Sequence, residues 1–91
     1  MDIDTLYYIA TKILMRKFPW IDDVVWERRD TFEGEEYELE ITPNDEFWDS
    51  DKMQQNVMLS NLSKVMRNLF LSLENPEEPI FFGGVSVASR R

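Results

Sequence analysis

The stretch Glu36-Tyr37-Glu38-Leu39-Glu40-Ile41 alternates acid and apolar residue without a break. That order fits an extended strand, whose successive side chains point to opposite faces, and it spreads its apolar residues all round a helix. Residues 35–42 are therefore expected to form a strand with Tyr37, Leu39 and Ile41 turned to a core and Glu36, Glu38 and Glu40 turned to water. A slip of one residue would bury all three glutamates, so the register is tightly specified. Residues 23–32 supply the partner strand. Gly34, in Phe32-Glu33-Gly34-Glu35, can adopt the positive φ that tight hairpin turns require. A turn centred there sets Trp26 opposite Ile41, Arg28 opposite Leu39 and Arg29 opposite Glu38.

The flanking segments carry helical spacing. At about 100° per residue, Ile3, Leu6, Tyr7, Ala10, Ile13, Leu14 and Phe18 share one face of a helix over residues 2–18. Asp2 can cap its first turn, Arg16 and Lys17 suit the dipole at its last, and Pro19 stops it. In a second helix over residues 50–74, Met58, Leu62, Val65, Met66, Leu69 and Leu73 fall within an arc of about 100°. Asp49 is expected as its N-cap, with Trp48 and Met53 as a hydrophobic staple, and Asn75-Pro76 as its stop. Residues from about 80 to 88 hold β-formers interrupted by Gly83-Gly84, a bulged strand, followed by arginines 90 and 91 that fray. The order α-β-β-α-β predicts one α+β domain over residues 1–91. It is a two-layer sandwich with both helices on one face of a three-stranded, mostly antiparallel sheet. The expected strand order is 3-1-2, with a right-handed crossover making the third strand parallel to the second.

Composition removes whole classes of chemistry. The 91 residues include no cysteine and no histidine. Disulfides, thiolate nucleophiles, imidazole bases and His- or Cys-held zinc are thereby excluded, and with them the Ser–His–Asp and Cys–His arrangements. A Cys-free chain whose first residues are acidic, where an export signal is basic, fits the cytoplasm, and no apolar run approaches a membrane span. In size and composition the chain resembles many phage-encoded accessory proteins, a likeness that no particular residue carries.

The net charge of −8 conceals a sharper division. Residues 22–51 contain thirteen acids and two bases, a net of −11, while the remainder carries +3. No carboxylate occurs between Lys52 and Leu73. An acidic sheet face and mildly basic helices follow. An acidic outer face keeps a one-sided sheet soluble and resists edge pairing. It can also meet a basic protein surface, or imitate a phosphate backbone, since alternate strand residues lie about 6.6–6.8 Å apart. Direct binding of nucleic acid is disfavoured by the sign of that face.

Other motifs are weaker. Asn44-Asp45-Glu46 and Asp49-Ser50-Asp51 lack the glycine and closing glutamate of a calcium loop and read as helix caps. Glu38 and Glu40 have no lysine on the hairpin to complete a metal-nuclease set, and a chain this small offers little room for a glycosidase cleft. Gly83-Gly84 lacks the lysine of a phosphate-binding loop. Phe47-Trp48 is expected to plug the open end of the core, because exposing both rings would cost several kcal/mol, on the order of 1.5–3 for each large apolar side chain. On the outer face of the first helix, Tyr8, Lys12, Met15 and Arg16 have the residue types that interface centres favour. The outer face of the second helix, with Asn56, Ser60, Asn61, Lys64, Arg67 and Asn68, is low in charge and suited to a neighbouring subunit. The expected protein is thus a non-enzymatic interaction or assembly module without cofactor or metal. Its expected partner is another protein, with a basic surface, or another copy of itself, and the candidate contacts are Tyr8, Lys12, Met15, Arg16, Glu36, Glu38 and Glu40. The alternative is an acidic nucleic-acid mimic that inhibits a nucleic-acid-binding enzyme.

Overall fold

The alternating segment is an extended strand at the middle of the sheet. The computed structural model describes residues 3–73, 77 and 79–89. Its elements run α1 (Ile3–Lys17), β1 (Ile21–Thr31), β2 (Gly34–Pro43), α2 (Asp45–Trp48), α3 (Lys52–Leu73) and β3 (Ile80–Val87). The expected Asp2 cap, the Asn75-Pro76 stop and the terminal arginines lie outside the described residues.

The architecture is α+β, with the helices on one face of a three-stranded sheet. The sheet is mixed: β1 and β2 pair antiparallel, and β2 and β3 pair parallel. The observed order is β1-β2-β3, which corrects the expected 3-1-2. Physical reasons favour the observed order. β2 buries Tyr37, Leu39 and Ile41, as a central strand should. β1 carries Asp22, Asp23, Glu27, Arg28, Arg29 and Asp30, and charged strands suit an edge.

The hairpin register also differs from expectation. Trp26 stands opposite Leu39, Arg28 opposite Tyr37 and Arg29 opposite Glu36. The loop is Phe32-Glu33 alone, closed by the pair Thr31 and Gly34. The Thr31 hydroxyl donates to the Gly34 carbonyl at 2.8 Å and accepts from the Glu33 N–H at 3.3 Å. Gly34 opens β2 with φ of 142°, and the Pro79 carbonyl occupies the space a β-carbon would need. The offset is two residues, so every side chain keeps the face the alternation assigned to it.

The core has two adjoining parts. Leu14 of α1, Leu39 and Ile41 of β2, and Leu62 and Met66 of α3 pack with Trp20, Ile21 and Phe47. Toward the hairpin end, Leu6, Tyr37 and Phe70 meet Tyr7, Trp26 and Phe82. Trp26 joins the two parts, stacking on Tyr7 at 5.7 Å between centroids and donating its indole N–H to the Thr11 hydroxyl at 3.1 Å. Phe47 is buried against Trp20 at 5.4 Å, with Trp48 edge-on to it at 5.2 Å, the expected plug.

The segment before α3 departs from expectation in its caps. α2 is a single turn capped by Asn44, whose side-chain oxygen accepts from the Glu46 N–H at 2.9 Å. Asp49 ends α2 and does not cap α3. Asp51 takes that role, its carboxylate accepting from the Gln54 N–H at 2.8 Å. With the start shifted to Lys52, Met53 no longer faces Trp48 as a staple residue and is 78% exposed.

Candidate functional site

The helices pack on one side of the sheet, and among the described residues no element covers the other. β2 places Glu36, Glu38 and Glu40 along the middle of that open face. Beside them on β1 lie Arg29, Glu27 and Val25, opposite Glu36, Glu38 and Glu40 respectively. On β3 the corresponding partners are Phe81, Gly84 and Ser86. Glu27 and Glu38 are like charges directly across the sheet, an arrangement that costs stability. Arg29 relieves part of it, reaching diagonally to the Glu38 carboxylate at 3.2 Å.

The face is not uniformly charged. Val25 and Phe81 are exposed on it, and Phe32 is fully exposed at the hairpin tip. Phe32 and Phe81 border a shallow depression with Glu33 and Glu36 on its rim. From there a trough continues along β3 past Gly83 and Gly84, with Glu38 beside it. The Glu36 side chain lies over Gly83, filling the position a β-carbon would take. Acids, exposed aromatics and a glycine floor are thus contiguous along β2 and β3.

At the hairpin end of the other face, charges form a second small network. Arg28 pairs with Asp30 at 3.1 Å and with Glu35 at 3.0 Å. Glu35 also accepts from the Tyr37 hydroxyl at 2.6 Å. Burial, then the hydrogen bond to Glu35 and the charge of that carboxylate, push the Tyr37 phenol far above its ordinary range. Burial raises Tyr7 as well. The Asp30 carboxylate, by hydrogen bond and charge, raises Arg28. Each of these shifts leads away from neutrality, and no charged or polar side chain is buried among the described residues.

The α1 candidates occupy the helical layer, remote from the glutamates. Tyr8 is 64% exposed, and the Lys12 ammonium lies 5.5 Å from the centre of its ring. Tyr8, Lys12 and Met15 border one shallow groove together with Tyr7 and Thr11. Arg16 is exposed but stands outside that groove. The structure therefore brings together Glu36, Glu38 and Glu40 on one surface and Tyr8, Lys12 and Met15 on another.

Comparison with protein-family models, curated proteins and solved structures finds no match. Val25, Glu27, Phe32 and Phe81 belong to the open face and were not singled out by pattern. The doublets Val24-Val25 and Phe81-Phe82 were the available signal, since on a strand one member of each must face outward. Among the described residues, no cluster of three acids is placed to hold a metal ion, and no helix is long and apolar enough to cross a membrane.

Proposed function

We propose that this protein is a non-enzymatic interaction module whose open sheet face receives a basic protein segment. The observation that supports this most is the continuity of Glu36, Glu38 and Glu40 with the exposed rings of Phe32 and Phe81. A lysine or arginine side chain has an acidic rim to pair with and an aromatic face to lie against. Gly84, with open space where a side chain would stand, lets an extended backbone approach the sheet closely there. Aromatic anchors within a charged surround have the make-up of interface hot spots. The reducing cytoplasm suits a chain without cysteine, and the Tyr8–Lys12–Met15 groove would serve as a second, smaller contact.

Titration of the labelled protein with an extended nonapeptide of alternating Arg and Gly tests this reading. Chemical-shift changes are expected at Glu36, Glu38, Glu40, Phe32 and Phe81, with affinity falling steeply as salt rises. The triple change Glu36→Lys, Glu38→Lys and Glu40→Lys should weaken binding at least tenfold, whereas Tyr8→Ala with Met15→Ala should not. Shifts confined to α1, or affinity indifferent to the reversals, would refute it. Imitation of a phosphate backbone draws support from the row of glutamates along β2. Arg29 and Val25 interrupt the anionic surface, however, and the exposed aromatics have no counterpart in a phosphate chain.

A further inference from the structure

The two edges of the sheet are chemically unlike. Six of the eleven residues of β1 are charged, which makes that edge resistant to further pairing. β3 has eight residues, none charged and none proline. Among the described elements it touches only β2 and α3, so its outer edge is uncovered. The Ala88 N–H donates to the Ile41 carbonyl at 2.9 Å, and the Pro79 carbonyl accepts from the Glu35 N–H at 3.1 Å. Alternation along the strand then directs the N–H and C=O of the intervening, helix-facing residues Ile80, Phe82, Val85 and Val87 to the free edge.

The pattern of β3 reads the same from either end. Apolar residues face the helices at 80, 82, 85 and 87, Phe81 and Ser86 face outward, and the register shift falls at the central Gly83-Gly84. Laid antiparallel against itself, with Gly83 opposite the second copy's Gly84, the strand sets Ile80 against Val87 and Phe82 against Val85. Phe81 then meets Ser86 on the open face. We infer that the outer edge of β3 pairs antiparallel with β3 of a second copy about a two-fold axis at Gly83-Gly84, joining two sheets into one of six strands.

Electrostatics favours this edge. α3, which flanks it, carries no carboxylate. The two β2 strands would stand three strand spacings apart, about 14 Å, well beyond the screening length of about 8 Å at physiological ionic strength. The glutamate rows therefore oppose the pairing only weakly. Apolar burial also favours it. A shallow groove between α3 and β3 is lined by Arg67, Phe70, Leu71, Ile80, Phe81 and Phe82, and Leu71 is 67% exposed there. The second copy's Val85 and Val87 would enter that groove. This self-association goes beyond the binding of a basic segment and is read without any peptide, so either can fail alone.

Sedimentation equilibrium of the full 10.9 kDa chain, up to about 1 mM, decides it. A reversible dimer is expected. Phe81→Lys with Ser86→Lys places like charges across the new pair and should weaken association at least tenfold, with the circular dichroism of the monomer unchanged. Phe81→Glu with Ser86→Lys places opposite charges there and should restore it. Because the chain has no cysteine, Phe81→Cys with Ser86→Cys should give a covalent dimer on mild oxidation. Within one strand those positions lie about 17 Å apart and cannot bridge. A strict monomer, a dimer indifferent to the paired lysines, or a dimer that fails to cross-link would each overturn the inference.

Discussion

Tyr37 shows what one side chain does in this fold. Its ring fills the core between Tyr7 and Phe70, while its hydroxyl donates to Glu35, which Arg28 holds from the other side. An ionised phenol there would be buried away from water and would face a carboxylate at hydrogen-bonding distance, so the folded protein keeps the proton to much higher pH than the unfolded chain does. The consequence for stability has a definite sign. Below pH 10, the ordinary value for tyrosine, both states hold the proton and the contribution is complete. Above it the unfolded state loses the proton first, and stability falls by up to about 1.4 kcal/mol per pH unit for each such group. Denaturant titrations between pH 9 and 12 should show this decline, shallower in Tyr37→Phe. Tyrosinate absorbance of the wild type should rise partly in step with unfolding. An equal slope in the two proteins would show that the folded protein does not hold the Tyr37 proton more tightly than the unfolded chain does.

At the scale of elements, facing was legible in the sequence and adjacency was not. The alternation in β2 assigned Tyr37, Leu39 and Ile41 to the core, and a two-residue error in hairpin register left that assignment untouched because the pleat also repeats every two residues. Period two says nothing about which strand lies beside which. The charges of β1 carried that information, since six charged residues of eleven suit an edge strand and not a central one. α2 escaped notice because one helical turn is too short to show a period. Its presence displaced the start of α3 from residue 50 to Lys52. In the candidate face, the glutamates were legible from alternation alone. Phe81 was not, because the bulge at Gly83 resets the parity of the strand. The cap of α3 provides a direct check. Asp51→Ala should destabilise the protein by about 1 kcal/mol, the ordinary value of an N-cap carboxylate, and Asp49→Ala by less than half of that. The reverse ranking in urea melts would return the cap to the earlier residue.

Across the whole molecule, folding concentrates negative charge. Thirteen acids and two bases between residues 22 and 51 share one hairpin and the turn that follows it, while α3 has cations only. Three exposed ion pairs, Arg28–Asp30, Arg28–Glu35 and Arg29–Glu38, oppose the repulsion locally. Exposed pairs of this kind contribute about 0–1 kcal/mol each and weaken in salt. Thirteen acids against two bases leave the hairpin net repulsive, with Glu27 directly opposite Glu38 and Asp30 directly opposite Glu35. Screening should therefore stabilise the fold. Raising sodium chloride from about 20 mM to 0.5 M shortens the screening length from roughly 20 Å to about 4 Å, and a gain of about 1 kcal/mol would raise Tm by roughly 4–8 °C in a domain of this size. Glu27→Gln should raise Tm at low salt and narrow the difference between the two salt conditions, because it removes the repulsion that salt would otherwise screen. The melts must be run at one protein concentration, since pairing through β3 would add a term that grows with concentration. If Tm fell with added salt, attraction within the ion pairs would outweigh repulsion. The open face would then lack the net negative field that a basic segment is proposed to seek.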